Sequence, residues 1–290
     1  MTGWLELAAA MRRSLPPTPC RRNHRCGAVS RLGWETLQDS LLARLDRLDS
    51  AKEVAQVAAV IGREFDHDLL AAAGGMPDGA LRAALAQLVA TELVFRRGAA
   101  SSGATYAFKH ALVRDAAYQS LLKSRRQELH ARVAAALEEH FPEATVGRPE
   151  LLAYHLAEAG QAERAIVYLQ EASRRALARS AEAEAVGHLQ AALAQLDRVA
   201  EVGRRGALEF ELQAALGRAL STVRGFAAPE TAYAYAQAAS LGQRLQVGSR
   251  LFPVLWGRIC ALRIAGRWPA IERRGSFCGS RDDAATPAIS

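Results

Sequence analysis

Residues 85–109 read LAQLVATELVFRRGAASSGATYAFK, and the change of period inside this stretch decides the fold. Up to Ala90 the apolar residues keep helical spacing, with Leu81, Leu85, Leu88 and Val89 on one face. Leu93–Arg97 and Thr105–Lys109 then read as two short strands, the second alternating Tyr106 and Phe108. Gly98–Gly103 between them is small, polar and glycine-flanked, as a hairpin loop should be.

Upstream of this point the pattern is helical. Pro77-Asp78 opens the helix that leads into the hairpin, because proline suits a first helical turn. Asp66–Ala73 is a short helix closed by Gly74-Gly75. Val54, Val57, Ala58 and Ile61 sit at i, i+3, i+4 and i+7 of another, with Asp49-Ser50 as its N-cap and Gly62 as its stop. Leu37, Leu41, Leu45 and Leu48 mark one more helical face. Three helices followed by a β-hairpin describe a winged helix, in which the hairpin is the wing. Asp78–Thr91 is then the helix that DNA-binding proteins of this shape lay in the major groove.

Downstream, residues 111–180 read as nearly continuous helix, with breaks near Lys123–Arg126, at Pro142–Pro149 and at Gly160. A 34-residue tetratricopeptide-like unit can be set with Ile166 first. Small or apolar residues then fall where two antiparallel helices touch: Leu169, Ala172, Ser173 and Ala176, then Ala185, Leu189 and Ala192. An overlapping register joins Leu152–Leu156 to Ala165, Leu169 and Ala172, so the array is irregular. A further pair joins Leu208, Leu212 and Leu216 to Ala232, Tyr235 and Ala239, and Leu251–Ala265 begins a pair without a partner helix. After Trp268-Pro269 the periodicity stops.

Composition narrows the function classes. Half of the 290 residues are hydrophobic, so a sizeable core is available. The net charge of +7 lies at the ends: residues 1–31 carry six Arg against Glu6, and residues 263–290 five Arg against Glu272, Asp282 and Asp283. The middle of the chain is neutral and exerts no net pull on phosphates, so any DNA binding is expected to come from the arginines before Gly33. Lysine is scarce (Lys52, Lys109, Lys123) and alanine abundant, the bias of a GC-rich genome. Cys20, His24 and Cys26 supply three potential metal ligands but no fourth, and with Cys260 and Cys278 they read as incidental thiols of a reduced protein. No secretory signal and no run of about 18 apolar residues is found, so the expected location is cytoplasmic, away from membranes.

Three strings, Thr36–Leu48 (TLQDSLLARLDRL), Lys52–Phe65 (KEVAQVAAVIGREF) and Tyr106–Leu122 (YAFKHALVRDAAYQSLL), resemble one known family, and Phe252–Trp256 (FPVLW) fits as well. They resemble the region downstream of the nucleotide-binding domain in bacterial STAND/AAA-type signalling ATPases. Many proteins of this kind are fused to class III adenylate or guanylate cyclase domains. The resemblance spans residues 35–265 and implies a winged-helix-like element followed by tetratricopeptide repeats, acting beside an ATPase domain. Neither active site comes with it. A phosphate-binding loop needs Gly-Lys, and the three lysines follow Ala51, Phe108 and Leu122. The paired metal-binding carboxylates of the cyclase are absent too, so the expected chain is not an enzyme, has no cofactor, and neither binds nor hydrolyses ATP.

The expected architecture is therefore mainly α: a winged-helix-like module with one β-hairpin, followed by an irregular tetratricopeptide-like α-solenoid. Its expected parts are an atypical arm (residues 1–34), the winged-helix-like module (35–125), the helical repeats (126–268) and a tail (269–290). The expected function is a protein-interaction and regulatory one, with a protein or peptide in the repeat groove and no specific nucleic acid. A DNA-binding regulator, or a truncated product without an independent role, are the alternatives. The Arg-, Pro-, Cys- and Gly-rich ends have the composition of out-of-frame GC-rich coding DNA. An ancestor with an ATPase domain upstream and more repeats downstream is the corresponding expectation.

Seven residues are candidates for contacts between domains. His110, Arg114 and Asp115 open the helix after the wing, where they could read a nucleotide domain or simply satisfy backbone groups. Arg63 and Glu64 could reach a neighbouring domain or form a local ion pair, and Arg96 and Arg97 could touch phosphates or keep a hairpin edge solvated. His130, His140, His155 and His188 lack i, i+4 ligand pairing and read as surface or groove residues.

Overall fold

The computed structural model describes residues 40–48, 50–97 and 104–266, and over these the chain is mainly helical. The arm, the hairpin loop, the Cys20/His24/Cys26 group and the tail lie outside the described residues.

The first unit is built around α1 (Ser50–Ile61), preceded by a helical segment at residues 40–46 that buries Leu45. Of the expected stripe, Val54, Val57 and Ala58 are buried and Ile61 is half-buried, while Ala51, Ala55, Ala59 and Val60 are buried as well. So many buried positions suit a helix wrapped on several sides. α1 touches α2 (His67–Gly74), α3 (Asp78–Ala90), α4 (Ala111–Gln119) and α5 (Lys123–His140). α2 ends where Gly75 takes φ 66°, the left-handed conformation that glycine adopts without strain. On α3, Leu81, Ala84, Leu85 and Leu88 face the core, but Val89 is exposed. At 100° per residue Val89 lies about 80° from Leu81, at the rim of the stripe.

The hairpin forms with a third strand that the sequence pattern does not announce. β2 (Val94–Arg97) and β3 (Thr105–Phe108) are antiparallel, with Val94 opposite Phe108 and Arg97 opposite Thr105. β1 (Glu64–Asp66) pairs with the other edge of β3, Phe65 opposite Tyr106, giving the order β1-β3-β2. The expectation of one isolated hairpin is thus corrected to a three-stranded sheet. Three residues are too few for alternation to register in the sequence, and packing holds the strand instead. Phe65 is buried with its ring 5.6 Å from that of Phe108 and 5.9 Å from that of Tyr106.

The expected break at Lys123–Arg126 falls slightly earlier, at Ser120–Leu122, and Lys123–Arg126 form the first turn of α5. The segment between Pro142 and Pro149 is not a plain break. It holds α6 (Pro142–Gly147), and α7 (Pro149–Glu158) follows at once, each with proline in its first turn. Gly160, at φ 81°, turns the chain into α8 (Ala162–Ala178).

From here each helix packs chiefly on the one before and the one after it: α7 on α8, α8 on α9 (Glu182–Leu193), α9 on α10 (Val202–Val223), α10 on α11 (Pro229–Arg244), and α11 on α12 (Phe252–Ile264). Leu169, Ala172, Ser173, Ala176, Ala185, Leu189 and Ala192 are all buried. Small residues at these positions let α8 and α9 approach closely. Burying Leu189 alone contributes about 1.5–3 kcal/mol. In the next pair Leu208, Leu212, Leu216, Tyr235 and Ala239 are buried and Ala232 is half-buried. α12 covers α11 but leaves Phe252, Trp256 and Ile259 exposed along its outer side.

The core has no gap between the sheet unit and the helical row. One buried cluster runs from Leu45 to Ala165, because α5 packs on α1 and α2 with one side and on α7 with another.

Candidate functional site

The seven sequence candidates do not converge on one point. Glu64 and Arg97 form an ion pair that spans the sheet, so the partner of Glu64 stands two strands away rather than next to it in sequence. The Arg63 carbonyl accepts the Phe108 N–H at 3.0 Å, which anchors the start of β1. Arg96 is exposed on β2. His110 takes the N-cap position of α4 without a side-chain capping bond. Arg114 donates to Asp115 at 2.5 Å. Among the described residues no hydrogen bond or ion pair joins His110 to either of them, so that trio is a neighbourhood in sequence rather than a cluster in space.

One buried polar arrangement involves residues expected at the surface. His130 on α5 and His155 on α7 are fully buried, a correction to that expectation. The reason is register. His130 precedes Val133, Ala134 and Leu137 by three, four and seven residues, and His155 stands three after Leu152, so both lie on the core stripes of their helices. A histidine in phase with an apolar stripe is the signal that could have found them. His140 is exposed, and His188 is half-buried beside Glu184 at 3.4 Å.

The two imidazoles meet at 2.9 Å between Nδ1 atoms. One of these nitrogens must donate and the other accept, so the rings hold complementary tautomers. Neutrality fits this, because burial pushes His130 down to about 4 and His155 down to about 3, assisted by Arg126 and by the neighbouring imidazole respectively. The far nitrogen of His130, Nε2, lies 3.1 Å from the Tyr118 hydroxyl on α4. Tyr154 packs edge-on over His130 with centroids 5.6 Å apart. Burial pushes the Tyr118 and Tyr154 hydroxyls up, opposed in both by the Arg114 guanidinium. Bases this weak accept few protons near neutrality, so the arrangement suits a structural hydrogen-bond chain across α4, α5 and α7 better than proton abstraction. Among the described residues no group of three His, Cys, Asp or Glu side chains is placed to hold a metal ion.

Tyr118 also reaches the surface. It lines a cleft of about 320 Å³ together with Lys123, Arg126 and Gln127 of α5, Glu158 and Gly160 at the α7–α8 turn, and Arg198 of the short 3-10 helix Leu196–Arg198. Arg126 is held by a bond from Nε to the Leu121 carbonyl at 3.1 Å and lies 5.2 Å from the centre of the Tyr118 ring. Arg198 is held by the Ala157 carbonyl at 3.0 Å and the Gln195 amide oxygen at 3.2 Å.

A protein of Rhizobium meliloti (strain 1021), described as uncharacterized, is 32% identical to the chain over 222 residues, 75% of the chain and 21% of that protein. The chain thus spans about a fifth of the length of this relative. No protein-family profile matches the chain, and no solved structure matches it. Among the described residues no helix is long and apolar enough to cross a membrane.

Proposed function

We propose that the chain is a non-catalytic interaction and regulatory segment of a longer signalling ATPase of the STAND type. In this reading the sheet unit is a winged-helix-like element and the helical row is an irregular tetratricopeptide-like array. The observation that carries the proposal is the sequential packing of α7 through α12, each helix against its chain neighbours, with buried alanines where α8 meets α9. Rows of this kind offer extended surfaces that take up protein segments through many weak contacts. That the match occupies 21% of the Rhizobium relative supports a part played within a larger protein.

The exposed side of α3 weighs against the DNA-binding alternative. Its one basic residue, Arg82, is paired with Asp78 at 2.6 Å, and the other exposed positions include Ala80, Ala83, Ala86 and Val89. Such a face has little for phosphates or base edges.

The test uses the Rhizobium relative. Its matching segment, expressed apart, should associate saturably with the remainder of that protein in calorimetry, and the present chain should compete. Absence of association with the remainder, or tight sequence-selective binding of the present chain to duplex DNA, would overturn the reading.

A further inference from the structure

The cleft beside Tyr118 joins three cationic side chains from two separate elements. Lys123 and Arg126 come from the first turn of α5, and Arg198 comes from the 3-10 helix that follows α9. Other arginines of α5, α8 and α10 are paired with carboxylates: Arg125 with Glu128, Arg164 with Glu138, Arg204 with Glu163. Lys123, Arg126 and Arg198 form no ion pair among the described residues. The two guanidinium groups are instead fixed by neutral carbonyl oxygens and by the Tyr118 ring. Neutral partners hold a guanidinium in place without cancelling its charge, which leaves donors for a further acceptor.

We infer that this cleft is a binding site for a small phosphate-bearing ligand. Arg126, Arg198 and Lys123 face the phosphate oxygens, and the Gln127 side-chain amide adds neutral hydrogen bonds. Arginine suits this chemistry because its planar donors match phosphate oxygens in pairs. Glu158, the one carboxylate lining the cleft, repels a bare dianion but accepts hydrogen bonds from a hydroxyl or ammonium group. A phosphomonoester carrying such a group therefore fits better than inorganic phosphate. The cleft, about 320 Å³ and open to solvent, has room for a small ester.

Occupancy would have a structural consequence. The ligand would touch α5, the α7–α8 turn and the 3-10 helix at once, and also Tyr118, whose hydroxyl meets His130. It would staple the sheet unit to the start of the helical row.

The experiment is calorimetric titration of the full chain with phosphoethanolamine and, separately, with inorganic phosphate, each against sodium chloride of equal ionic strength. Lys123→Glu, at an exposed side chain without a partner, is the primary variant, and Arg198→Gln is the second. Circular dichroism and melting temperature check that both still fold. Saturable binding that Lys123→Glu weakens by about tenfold or more, as expected for reversing one charge beside a dianion, supports the site. Tighter binding of phosphoethanolamine than of phosphate assigns the ester, and the reverse order assigns the free ion. No saturable heat with either probe beyond the salt control, or binding unchanged in Lys123→Glu, overturns it.

Discussion

Lowering the pH from about 7.5 to about 5 should destabilise the fold by about 4 kcal/mol through His130 and His155 alone. Burial sets their folded values at about 4 and about 3. In the unfolded chain both return to about 6.5. The folded values are the lower ones, so as pH falls the unfolded chain takes up protons first. Stability is full above about 6.5, declines from there towards about 3, and falls no further through these groups below that. At pH 5 each unfolded imidazole is nearly fully charged while its folded counterpart is neutral. Each then costs about one and a half pKa units at 1.36 kcal/mol per unit, or about 2 kcal/mol. Against a typical total of about 5–15 kcal/mol, the loss is large. Urea unfolding followed by circular dichroism from pH 7.5 to 5 gives the slope, and the same series on His130→Gln/His155→Gln subtracts the carboxylates. An equal slope in both proteins would refute the reasoning. So would an imidazole NMR titration placing either residue near 6.5 in the folded chain.

Other perturbations probe packing and chemistry. Gly257→Ala would drive a Cβ into the buried Tyr235 ring, which outweighs the gain in helix propensity, so melting should show a net loss of about 1–3 kcal/mol. Leu189→Ala removes a fully buried side chain at the α8–α9 contact and should cost about 2–5 kcal/mol, read as a lower urea midpoint at unchanged m. The chain should not hydrolyse ATP, since it contains no Gly-Lys phosphate loop, and release of phosphate in a coupled assay would contradict this.

Much of the helical order is legible in the sequence, because long stripes such as Val54–Val57–Ala58 and Leu169–Ala172–Ala176 repeat often enough to set a phase. What stays hidden depends on contacts far apart in the chain. β1 is three residues long, and only its pairing with β3, about forty residues later, makes it a strand. The Glu64–Arg97 pair follows from that pairing. His130 and His155 read as polar because their side chains titrate, and their burial becomes reasonable only once each imidazole supplies the other's hydrogen bond. The cleft draws its residues from positions 118 to 198, a grouping that no local motif encodes.

Hydrogen exchange tests the central claim most directly, comparing the chain alone with the chain mixed with the remainder of the Rhizobium relative. If the helical row is an interaction surface for the rest of such a protein, exchange should slow in α8 through α11 on mixing. Exchange that is unchanged along the whole row, at concentrations where each component is folded, would contradict the account.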